Sequence, residues 1–222
     1  MHQHTLGSPS GYLSDYLAFA DAKLEVYLAT GRDAAFRSGL SVLERAMSRF
    51  AGPEPGVWLT DAPQNEVAGN PNGNPPELLD EVRESCTAQA IRLFTAYGSM
   101  LPPGEQSRRL LSAAATTVSH FAKINVADNP ELAGYYLSAA ALQDPQCAFA
   151  VGPHKQELSD KLFQLRPNRL AAPASEAVRP DLTKGRPGIY VVSGSVVAGP
   201  YSLDEAANLI PADLQIGEAG GS

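Results

Sequence analysis

Seven side chains in the first 84 residues have types and spacing that could do chemistry. Asp15 and Tyr16 open an amphipathic run, Trp58 and Asp61 bracket a short apolar segment, and Glu81, Arg83 and Glu84 form a charged triplet. Carboxylates at i and i+3 share one face of a helix and can divide acid and base roles. Asp15, Glu81 and Glu84 are therefore the candidate catalytic groups. Tyr16 and Trp58 offer flat faces on which a ligand ring could stack, and Asp61 and Arg83 offer hydrogen bonds to it. Structural readings stand beside these. A carboxylate in a first helical turn is favoured by the helix dipole, and Glu81 and Glu84 crossed by Arg83 are equally a solvated helix face.

The remaining motifs are thinner. His2 and His4 have no third ligand near them in sequence, and His120 and His154 stand alone, so no metal site is expected. Gly152 between a strand and a helix resembles a phosphate turn, but one glycine is not a fingerprint and Pro153 removes a donor. Ser193-Gly194-Ser195 lacks the frame of a nucleophile elbow. No C-x-x-C pair occurs. No cofactor is expected.

The elements that must position these groups are mostly helices. Leu13, Leu17, Ala20, Leu24, Tyr27 and Leu28 recur at steps of three and four, which predicts a helix over 14–30 stopped by Gly31. Phe36, Leu40, Leu43, Met47 and Phe50 continue the spacing until Gly52-Pro53, so the two helices form an antiparallel hairpin. The pattern repeats. Residues 77–97 and 105–123 form a second pair, with Gly98 as the stop of its first helix, and Leu24–Gly31 echoes Ile91–Gly98. A fifth helix starts at Asn129-Pro130 and runs to about Gln143. Between the hairpins, Gly52 to Pro76 is rich in Gly, Pro and Asn, with Val57–Thr60 as its one short strand.

From Cys147 the character changes. A strand over 147–152, a helix over 153–165 and a strand over 169–173 read as a parallel β-α-β unit. One further strand, Gly188–Ala198, bends at Gly194, and a helix follows over 202–210. The expected organisation is a helical-hairpin region over 1–145, a small α/β unit over 146–210 and a frayed tail over 211–222.

Composition narrows the partners. The 222 residues carry 44% hydrophobic and 18% charged side chains, enough for a substantial core, and a formal net charge of −7 without basic clusters. Nucleic acid and anionic membrane both need clustered Lys and Arg, so neither is an expected partner. No apolar run approaches the roughly 20 residues that cross a bilayer. Met1 to Gly7 has no basic and apolar signal regions, so cytoplasmic residence is expected. Cys86 and Cys147 are expected to be buried free thiols.

A resemblance runs along nearly the whole chain. Gly11-Tyr-Leu-Ser-Asp-Tyr-Leu-Ala-Phe19 and Leu24-Glu-Val-Tyr-Leu-Ala-Thr-Gly31 resemble a hairpin-opening helix of the spermatogenesis-associated, thioredoxin-domain-containing protein family. Gly56-Val-Trp-Leu-Thr60, the Ser85–Gly98 helix, Gly188-Ile-Tyr-Val-Val192 and Gly199-Pro-Tyr-Ser-Leu-Asp-Glu205 continue the similarity in order. Where the family shows Pro-Ser-Gly-Asn-Ser, this chain reads Pro71-Asn-Gly-Asn-Pro75, so Asn72 and Pro75 replace both serines. The resemblance implies a mainly α fold: antiparallel hairpins of a partial (α/α) barrel, similar to those of six-hairpin glycosidases, followed by a small βαβ unit. It further implies a C-terminal portion of a longer parent, with a carbohydrate as the ligand of the complete barrel. The portion would pack against the N-terminal region it lacks or associate with itself. A non-enzymatic helical interaction scaffold is the alternative.

Overall fold

The computed structural model describes residues 11–61, 75–80, 84–122, 129–143, 146–165 and 170–209. Among them, helices dominate. The first hairpin is α1 (Leu13–Thr30) and α2 (Asp33–Arg49), and the second is α3 (Cys86–Met100) and α4 (Glu105–Phe121). A 3-10 turn (Pro130–Leu132) leads into α5 (Ala133–Gln143). The α/β part follows as β1 (Gln146–Val151), α6 (Lys155–Leu165), β2 (Leu170–Pro173), α7 (Pro180–Thr183), β3 (Gly188–Ser193), β4 (Val196–Tyr201) and α8 (Leu203–Leu209).

The predicted apolar stripes are the buried faces. Leu13, Leu17, Ala20, Leu24 and Tyr27 of α1 meet Phe36, Leu40, Leu43 and Ala46 of α2, and Gly31 closes α1 in the left-handed conformation with its N–H on Tyr27 O at 2.7 Å. An aromatic row then ties the hairpins together. Tyr27 packs on Phe36 at 5.2 Å and Phe36 on Tyr97 at 4.9 Å, while the Tyr97 hydroxyl donates to Ala20 O at 2.8 Å. Because α3 is flanked by α1, α4 and α5, it is buried almost all round. The helices α1, α3 and α5 thus form a row, with α2 and α4 joined to it by short turns.

Two expectations for α3 need correction. Residues 77–80, 84 and 85 lie outside the helix, which begins at Cys86 and not at 77. The segment instead folds back to cap it: Glu77 Oε2 accepts the Cys86 N–H at 3.1 Å, Asp80 Oδ1 accepts that of Ser85 at 2.8 Å, and Ser85 Oγ accepts that of Ala88. At the other end, α3 continues past Gly98 to Met100. Gly98 is a point of close approach, since a Cβ there would lie 2.9 Å from Leu111 Cγ of α4.

The sheet has the order β2-β1-β3-β4, with β1 parallel to β2 and antiparallel to β3. The expected parallel β-α-β unit is present. The expected single bent strand over 188–198 is a hairpin instead, because Gly194 turns the chain (φ 58°) and β4 pairs back on β3. Alternation along the strands separates two cores. Cys147, Phe149, Ala172 and Val192 face the helical hairpins and join their core, while Ala148, Ala171 and Ile189 face Leu162 of α6 and Ala206 of α8. Cys86 and Cys147 are buried and form no disulfide, and burial pushes the Cys147 thiol up to about 12 despite the nearby Arg179 charge. The tail over 211–222 lies outside the described residues. No helix among them is long and apolar enough to cross a membrane.

Candidate functional site

Along α3, only Gln89, Arg92 and Ser99 reach solvent in part, one polar line on an otherwise buried helix. Arg92 is its centre. Nη1 and Nη2 donate to Asp21 Oδ1 and Oδ2 of α1, both at 2.9 Å, and Nε donates to Glu84 Oε2 at 3.1 Å. Ser138 of α5 donates to Glu84 Oε1 at 3.5 Å. The guanidinium thus ties α1 to the approach to α3, and Glu84 carries the link on to α5. Side chains of Asp21, Arg92 and Glu84 keep 27%, 38% and 28% of their surface exposed, so the cluster is a surface feature with a buried base. Burial works against the Arg92 charge, but the Asp21 hydrogen bond and the charges of Glu84 and Asp21 outweigh it and hold the guanidinium pKa above its ordinary value.

What such a cluster can do follows from its committed atoms. Three of the five Arg92 N–H groups are used, and Asp21 receives a bidentate fork. A group held in this way can offer hydrogen bonds through its remaining donors and carboxylate lone pairs. It does not readily shuttle protons. Among the described residues no group of three His, Cys, Asp or Glu could hold a metal.

The sequence-predicted residues divide into two places. Asp15 is exposed in the first turn of α1, where its Oδ2 accepts the Tyr12 N–H at 2.9 Å, and Tyr16 packs edge-on against Phe50 at 5.1 Å. Leu13 N–H donates to Thr60 O at 2.9 Å, which brings Thr60 and the buried Asp61 to that same end of α1. Trp58 follows from the short segment pairing with the end of α2, an isolated bridge to Ala51. The residue is 7% exposed, and its ring sits against Phe94 and donates Nε1–H to Thr117 Oγ1 at 2.8 Å, so it is a core anchor in place of the expected stacking wall. Glu84 lies in the Arg92 cluster, while Asp15 is six residues before Asp21, about 9 Å along the α1 axis. Glu81 and Arg83 lie outside the described residues. So do His2, His4 and the Pro71–Asn74 stretch.

Sequence reasoning missed Asp21, Arg92 and Ser138. The signal available was a charged residue flanking each of two apolar stripes, Asp21 beside Ala20 and Arg92 beside Ile91, in helices that echo one another. No protein-family model, curated protein or solved structure matches the chain, so the site is read from its own geometry.

Proposed function

We propose that this chain forms the C-terminal part of a larger (α/α) toroid of the spermatogenesis-associated, thioredoxin-domain-containing type, and that the activity of the complete parent is directed at a carbohydrate. The observation that carries this reading is a row of helices whose two end members, among the described residues, turn apolar stripes to solvent. At one end α1 turns Tyr12, Phe19 and Val26 to solvent, 46%, 43% and 41% exposed at heptad spacing, and Ala18, Ala22 and Ala29 widen the stripe. At the other, α5 turns out Ala133, Tyr136, Leu137, Ala140 and Ala141, at i, i+3, i+4, i+7 and i+8. That is the spacing of a face made to pack on another helix. Exposed apolar patches rimmed by polar residues mark contact surfaces. Further hairpins on either side of the row account for both stripes.

The sugar-directed half rests on the polar line of α3. Gln89, Arg92, Ser99, Asp21 and Glu84 supply planar donors and acceptors suited to hydroxyl groups. The test is thermal-shift screening of the full-length parent with mono- and disaccharides, alongside an Arg92→Met variant. Stabilisation by a sugar that the variant loses supports the reading; no stabilisation by any sugar removes its motive.

A second reading, a non-enzymatic helical scaffold, is favoured by the same chain's hydrogen bonds. Asp15 is occupied as a helix cap and Glu84 as an ion-pair partner. Size-exclusion chromatography separates the two readings. Concentration-dependent oligomers favour the scaffold, and a clean monomer counts against it.

A further inference from the structure

We draw no further inference here: the strongest candidate, the outer edge of the sheet along β4, where Val196 and Val197 stand 65% and 42% exposed, is an apolar strand edge for which nothing among the described residues shows what covers it.

Discussion

Gly39→Ala separates two physical arguments that predict opposite signs. Gly39 lies inside α2, where replacing glycine by alanine ordinarily gains about 1 kcal/mol of helix propensity. Here a Cβ would overlap the Tyr97 hydroxyl and come within 2.9 Å of Lys23 Cβ, because α1, α2 and α3 converge at this point. The hydroxyl cannot simply swing away, since it is buried and donates to Ala20 O at 2.8 Å. Overpacking of this kind costs roughly 1–3 kcal/mol, and the displaced hydrogen bond about 1 kcal/mol more. After the propensity gain, the net loss is about 2 kcal/mol. With a urea slope of about 2 kcal/mol/M, the midpoint should fall by about 1 M at unchanged slope. Tyr97→Phe alone should cost about 1 kcal/mol. In that background the nearest ring atom, Cζ, would stand 3.0 Å from the new Cβ, so Gly39→Ala should recover about 1 kcal/mol as a coupling energy. A raised midpoint for Gly39→Ala, or additive single effects, would refute the packing of the two hairpins described here.

Other perturbations follow from the same geometry. Thr117→Val removes the acceptor of the Trp58 Nε1–H and leaves that donor buried, a loss of roughly 1–3 kcal/mol in urea unfolding with a shift in tryptophan emission. Asp80→Ala removes an acceptor shared by Ser85 N–H before α3 and Gly134 N–H in α5, so it should cost about 1–2 kcal/mol and raise amide exchange at both helix starts. The buried Arg179 guanidinium, hydrogen-bonded to Asp181, holds the Asp181 pKa below the usual carboxylate range. The pair therefore stabilises the fold above the unfolded-state pKa and loses that contribution as pH falls through the lower folded one. Asp181→Asn should flatten the acid limb of a stability–pH profile, and an unchanged limb would contradict this.

The helix pairs were legible because burial in a hairpin imposes one apolar stripe per helix, and Leu13 to Tyr27 and Phe36 to Phe50 carry it without interruption. The start of α3 was not, since Leu78 stays in register with the helical stripe while Glu77 and Asp80 use their carboxylates to cap the helix from outside. Gly98 looked like a stop, yet its lack of a side chain serves the approach of α4. The β3–β4 hairpin hid for a related reason: a glycine in an apolar run reads as a bend until pairing shows which it is. The Arg92 cluster needed three dimensions. Asp21 and Arg92 are 71 positions apart and only the packing of α1 on α3 makes them partners. Trp58 was visible as singular, but singularity does not tell a core anchor from a stacking wall.

The reading of α1 and α5 as open edges of a larger toroid is tested most directly by covering them. Native Cys86 and Cys147 are buried, so Phe19→Cys and Leu137→Cys each provide one accessible thiol. Maleimide labelling should be fast for both variants in this chain alone and strongly protected for both in the full-length parent. Equal labelling rates in the two contexts would contradict the account.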